Sequence, residues 1–186
     1  MNANPSVLGG VVVLEPVIHG DARGWFQETY RENVLADLGI TDRFVQDNHS
    51  RSGRGVLRGM HFQLGDAPQA KLIRCARGAI WDVVVDVRRG SPTFGRWEGW
   101  RLDDETGLQL YCPVGFAHGF LVLSEIADVV YRCSNYYDPA AEHVLSYRDA
   151  EVGIEWPSGS HAVSARDEAG LSLNELLPVL PKYPLR

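Results

Sequence analysis

The chain has 186 residues, 45% hydrophobic and 23% charged, with a formal net charge of −6. That profile fits one soluble domain with enough interior to fold without covalent staples, and its acidity argues against a nucleic-acid or anionic-membrane surface, although a basic pocket can sit inside an acidic protein. Cys75, Cys112 and Cys133 are odd in number and form no CxxC pair, so they suggest neither a disulfide framework nor a zinc knuckle and read as small apolar packing residues in a reducing compartment.

Taken in chain order, the N-terminus MNANPSVLGG lacks a basic segment followed by an apolar run. No later stretch approaches membrane-spanning length, and the expected location is the cytoplasm. Runs rich in Val, Ile and aromatics, broken by Gly, Pro and Asp, predict strands over 11–18, 24–30, 43–49, 56–62, 71–75, 79–87, 97–102, 109–112, 119–123 and 128–134. Helical periodicity is confined to 31–38, through Val34, Leu35 and Leu38, and to a short tail segment, 172–177. Many short strands with frequent turns predict an all-β jelly roll or barrel with a few short helices. No linker or repeat divides the chain, so a single domain spans 1–186. Its core covers about 10–170, and the proline-punctuated tail 171–186 is expected to lie across the surface.

A jelly-roll metal site of the cupin type requires a His-x-His pair, a carboxylate and a later histidine. Here His61 is followed by Phe62 and Gln63, which leaves His61 and His118 without the rest of a ligand set. The expectation is a cupin-like barrel with no metal and no cofactor, whose histidines serve as acid–base groups or hydrogen-bond donors. A metal-dependent dioxygenase lacks its ligands here. Taken alone, each residue also has a plain structural reading: a satisfied core histidine, a sheet tyrosine, a solvated lysine, a turn aspartate.

The segments GVLRGMHFQ (55–63), QAKLIRCARGAIWDVVVDVRRGSPTFGRW (69–97), PVGFAHGF (113–120), YRCSNYYDP (131–139) and SARDEAG (164–170), with HGDARGWFQETY (19–30) and FVQDNHS (44–50), occur in order. This ordered set resembles the dTDP-4-dehydrorhamnose 3,5-epimerase family. The resemblance implies inversion of C3 and C5 of dTDP-4-dehydro-6-deoxy-D-glucose, both alpha to the C4 ketone. Such chemistry needs a base near neutral pKa, a stabiliser of the enolate and an acid on the opposite face.

By that resemblance His61 is the base, Asp167 its carboxylate partner, Tyr131 the proton donor and Lys71 the cation beside the C4 oxygen. His118 would donate a hydrogen bond to the sugar or enolate oxygen. Nucleotide and substrate recognition would involve Arg23, Phe26, Glu28, Gln46, Asp47, Asn48, Arg58, Tyr137, Glu142 and Arg166; arginine forks suit a diphosphate, and an aromatic can stack on thymine. Arg58 stands three positions before His61, so both can face inward only through a bulge or twist. The family exchanges its N-terminal strand between subunits, which implies a homodimer in which Arg23 and Glu28 serve the partner's site. Competing readings are an epimerase acting at C3 only or C5 only, and a non-catalytic sugar-binding cupin.

Overall fold

The computed structural model describes residues 1–184. Two six-stranded sheets face each other. Strands are numbered in chain order. The first sheet runs β1 (Asn2–Pro5), β2 (Val12–Glu15), β10 (Gln109–Cys112), β7 (Lys71–Arg77), β12 (Ile126–Cys133) and β5 (Gln46–Gly53). The second runs β13 (Glu142–Val144), β6 (Val56–Gln63), β11 (Phe116–Val122), β8 (Ala79–Asp86) and β9 (Trp97–Asp103), with β14 (Ala162–Val163) added on β6. The hairpin β3 (Ile18–Asp21) and β4 (Gly24–Gln27) forms a separate two-stranded sheet. Three short helices complete the described residues: α1 (Glu32–Asp37), α2 (Ala165–Glu168) and α3 (Leu173–Leu176). This is the all-β, cupin-type architecture that the strand pattern predicts.

Strand alternation sorts the side chains into layers. Between the sheets lie Ile73, Cys75, Ile80, Val84, Leu110, Cys112, Phe120, Val122 and Val129, with Tyr131 packed against them. The outer face of the β6–β11–β8 sheet buries Leu57, Met60, Val83, Val85 and Leu121 against Leu145, Tyr147, Leu173, Leu176 and Leu180. Leu35 and Ile40, from α1 and the turn after it, cover Leu14, Leu72 and Tyr111 on the far side of the first sheet.

The tail departs from expectation. Leu176 and Leu180 are fully buried, the Arg89 N–H donates to the Pro181 carbonyl at 2.8 Å, and the Arg88 guanidinium lies 5.1 Å from the Tyr183 ring centroid. The reason is that the outer face of β6 and β8 is apolar and needs a cover, which the leucines of the tail supply. Leu185 and Arg186 lie outside the described residues. Strand 11–18 is divided, Pro16 falling between β2 and β3, and β1, β13, β14 and α2 had no predicted counterpart. All three cysteines are free and buried; burial pushes the Cys75 and Cys112 thiols up to about 12.

Candidate active site

His61 sits on β6 with one ring nitrogen, Nε2, 2.6 Å from Asp167 Oδ1. Their separation of 106 positions is closed by β14, which runs parallel to β6 with Ala162 opposite Val56. His61 and Asp167 each follow that pair by five positions, so the parallel run carries them to the same level. Ser164 then caps α2 by accepting the Asp167 N–H at 3.1 Å, a common use of serine at a helix start. Burial alone would raise the Asp167 pKa, but the His61 hydrogen bond and charge, the Gly59 N–H and Ser164 together hold it below the usual carboxylate value.

A bulge on β6 resolves the spacing of Arg58 and His61. His61 pairs with His118 and Arg58 with Phe120, so the β6 step of three residues spans a β11 step of two. The extra residue lets both side chains face the interior while Leu57 and Met60 face outward into the covered layer. Gly59 makes this possible: its φ is +139°, and a Cβ there would lie 2.5 Å from Gly119 Cα. The same bulge turns the Gly59 N–H toward Asp167 Oδ2, at 3.4 Å. Arg58 Nε donates to Ser52 Oγ on β5 at 3.0 Å, tying the second sheet to the first.

Lys71 reaches across the barrel. It lies inward on β7, directly opposite Cys112 on one side and Cys133 on the other, and its Nζ donates to the His61 carbonyl at 3.2 Å. Burial pushes its pKa down, opposed by the thiols of Cys112 and Cys133 and the charge of Asp82. Tyr131, on the neighbouring strand β12, stands opposite Asn48 of β5 and Ile73 of β7. Burial raises the Tyr131 pKa, which keeps the phenol protonated and therefore a donor. His61 and Tyr131 thus belong to opposing sheets, and Lys71 bridges them. His118 lies beside His61 on β11, with Nε2 2.9 and 3.0 Å from the two oxygens of Asp82.

A second group gathers next to β6. Glu142 of β13 pairs with Gln63 in register; the Tyr137 hydroxyl donates to Glu142 at 2.8 Å. Arg166 Nη1 donates to that hydroxyl at 3.2 Å, and Arg166 also ion-pairs with Glu142. Gln46 accepts the Tyr137 N–H at 2.9 Å and donates to Asn48 at 3.1 Å. Six of the recognition candidates therefore share the site's surroundings: Gln46, Asn48, Arg58, Tyr137, Glu142 and Arg166.

Four do not join them in this chain. Asp47 alternates with Gln46 and Asn48 on β5, so it faces the outer side of the sheet, 3.6 Å from Arg132; strand geometry forbids all three from sharing one face. Arg23 is 90% exposed and pairs with Asp21 on the hairpin. Glu28 lies 3.3 Å from Arg31, and Phe26 is 67% exposed; with His19 and Arg31 these two residues line a separate concavity of about 460 Å³. Another concavity, about 680 Å³, lies between Leu64, Val114 and the tail and includes none of the proposed catalytic residues. Sequence reasoning misses Asp82 and Ser52. Asp82 carries a signal, an acidic residue in phase with Ile80 and Val84 inside the apolar run AIWDVVVD; nothing distinguishes Ser52.

A cupin-type barrel thus carries His61, paired with Asp167, on one sheet and Lys71 and Tyr131 on the facing one, and that arrangement defines the class of protein. Comparison with known proteins narrows that class. The family model for dTDP-4-dehydrorhamnose 3,5-epimerase matches residues 5–175, and the chain belongs to that family. The dTDP-4-dehydrorhamnose 3,5-epimerase of Salmonella typhimurium is 48% identical over 169 residues, covering 90% of this chain and 92% of that one. A dTDP-4-dehydrorhamnose 3-epimerase of Streptomyces niveus is 42% identical over 186 residues, covering 98% and 90%. The crystal structure of dTDP-6-deoxy-D-glucose-3,5-epimerase from Legionella pneumophila, in complex with dTDP-4-keto-L-rhamnose, superimposes with a TM-score of 0.95 at 45% identity, covering 98% of both chains.

Proposed function

We propose that this chain inverts C3 and C5 of dTDP-4-dehydro-6-deoxy-D-glucose to give dTDP-4-dehydro-L-rhamnose, in dTDP-L-rhamnose formation. The observation that carries the mechanism is the His61–Asp167 pair at 2.6 Å, on the sheet opposite Tyr131. With Nε2–H donated to Asp167, the Nδ1 lone pair of His61 is the basic site. It takes the proton from the carbon alpha to the C4 ketone, and the electron pair of that C–H bond moves into the carbonyl. Charge developing on the C4 oxygen is met by Lys71 and His118. Tyr131 returns a proton to the carbon from the other face, which inverts it. Arg58 and Arg166 offer planar forks to the diphosphate, and Tyr137, Gln46, Asn48 and Glu142 line the approach.

The same reading includes a homodimer. Val17, Ile18, Trp25 and Phe26 are exposed on and beside the β3–β4 hairpin, an apolar surface suited to cover by a second copy. Exchange of that segment would carry Arg23, Phe26 and Glu28 to the partner's site. Sedimentation showing only monomer would remove this part of the proposal. Residence in the cytoplasm accords with the absence, among the described residues, of any helix long and apolar enough to cross a membrane.

A single-site epimerase is the second reading, favoured by the similarity to the 3-epimerase of Streptomyces niveus. Incubation with the dTDP-4-keto sugar in heavy water separates the two. Two-site chemistry places deuterium at both C3 and C5, read by NMR; label at one carbon alone rejects it. Absence of both exchange and turnover would favour a non-catalytic binding barrel.

A further inference from the structure

The interior holds a second histidine–carboxylate pair, and its chemistry differs from that of the first. Asp82 is completely buried, in phase with Ile80 and Val84 on the inward face of β8. Among the described residues its side chain has one hydrogen-bonding partner, His118 Nε2, at 2.9 and 3.0 Å from its two oxygens. Asp167, by contrast, also receives the Gly59 N–H at 3.4 Å. A buried carboxylate with no backbone donor is costly unless a positive charge stands directly against it. Lys71 feels the charge of Asp82 but gives it no hydrogen bond, its Nζ donating to the His61 carbonyl at 3.2 Å instead. The imidazole in contact with Asp82 is the group placed to supply that charge.

The geometry points to Asp82 as a positioning residue that keeps both ring nitrogens of His118 protonated, so that Nδ1–H is the donor for the C4 oxygen of the sugar. This rests on the epimerase reading above and assigns Asp82 a part in it. A neutral ring donating Nε2–H to Asp82 would present a lone pair at Nδ1, and that lone pair repels an enolate oxygen. Only the doubly protonated ring offers the oxygen a hydrogen bond, and Asp82 is the counter-charge that permits it. His118 stands opposite His61 in the strand register, so the cation lies beside the base that creates the negative charge. The two pairs therefore divide the work. Asp167 leaves His61 with a free lone pair, whereas Asp82 leaves His118 with a free proton.

The test uses the full chain labelled with 15N-histidine. Long-range proton–nitrogen correlation near neutral pH reads the protonation of each ring, and His118 is assigned by the signals lost in His118→Gln. The expected wild-type result is two protonated nitrogens, and Asp82→Asn should convert the ring to a singly protonated one. The amide oxygen introduced by Asp82→Asn can still accept Nε2–H, so orientation survives while the charge is lost. That variant should bind dTDP with nearly wild-type affinity and lose about 10²-fold in kcat with little change in KM. A singly protonated His118 in the wild type overturns the proposal, as does an Asp82→Asn enzyme with kcat close to wild type. If Asp82→Asn fails to fold, the wild-type spectrum decides alone. Failure of the wild type to exchange deuterium at either carbon would instead count against the epimerase reading, because the ring's protonation is measured without turnover.

Discussion

Two buried carboxylates, Asp86 and Asp167, show how one residue type divides between architecture and chemistry. Asp86 accepts from Arg88 N, Nε and Nη2 at 2.9, 2.9 and 2.7 Å, and from Ser91 and Thr93 hydroxyls at 2.6 Å each. Its lone pairs are saturated by groups from its own turn, and the Arg88 guanidinium it holds also lies 4.2 Å from the Phe116 ring centroid. Asp167 holds one imidazole and one distant N–H, and that imidazole keeps a nitrogen for something else. A saturated carboxylate locks a loop. An unsaturated pair retains capacity for a ligand.

The comparison is most severely tested by His61→Ala. Removing the proposed base should lower deuterium exchange at both C3 and C5 by about 10³-fold or more while the barrel still folds, measured by NMR in heavy water and by circular dichroism. Near-normal exchange would show that the unsaturated pair is not the base.

Asp167→Asn comes next, with an expected loss of about 10²-fold in kcat, because the amide neither fixes the His61 tautomer by charge nor stabilises the imidazolium that forms. Its thermal midpoint should move little. A large fall in stability with intact turnover would place Asp167 in the same category as Asp86.

Tyr131→Phe should affect net inversion more than initial proton abstraction, by about 10-fold to 10²-fold. The readout is the ratio of deuterium wash-in to product formed. Equal loss of both would reject the donor assignment.

Asp86→Asn should leave kcat within about twofold of wild type and lower stability by about 3 kcal/mol, since Arg88 would be left buried without its counter-charge. Acid titration sharpens the contrast. Burial opposes ionisation of Asp86, yet its bonds to Arg88, Ser91 and Thr93 hold its pKa below the ordinary carboxylate value of 3.8. The folded state therefore binds this proton less readily than the unfolded chain. The contribution to stability is fully present above about pH 4 and fades as pH falls through the lower folded-state value. Chemical denaturation between pH 5 and pH 2 should show a shallower decline for Asp86→Asn than for the wild type.

Much of this molecule is legible in the residues. Period-two apolar alternation locates the central strands, and LRGMHFQ with YRCSNYYDP singles out His61 and Tyr131. The three-residue offset of Arg58 and His61 demands an irregularity, and the bulge at Gly59 supplies it. The tail is misjudged from sequence because prolines mark broken backbone, whereas burial of Leu176 and Leu180 depends on an apolar sheet face formed by distant residues. Asp47 falls in with its neighbours when adjacency in sequence is taken for adjacency in space, and strand alternation separates them.

The sequence by itself determined the class of fold through local periodicity, its resemblance to a known family singled out His61 and Tyr131, and the three-residue offset of Arg58 and His61 already required a kink in β6 if both face inward. The tertiary structure decided which carriers meet. Parallel pairing of β14 with β6 brings Asp167 to His61, and closure of two sheets sets Tyr131 and Lys71 across from them. Burial then separates Asp82, whose one side-chain partner among the described residues is the His118 imidazole, from Asp86, whose own turn supplies five donors. Such pairings depend on long-range register and exclusion of water, which no local pattern of residues encodes.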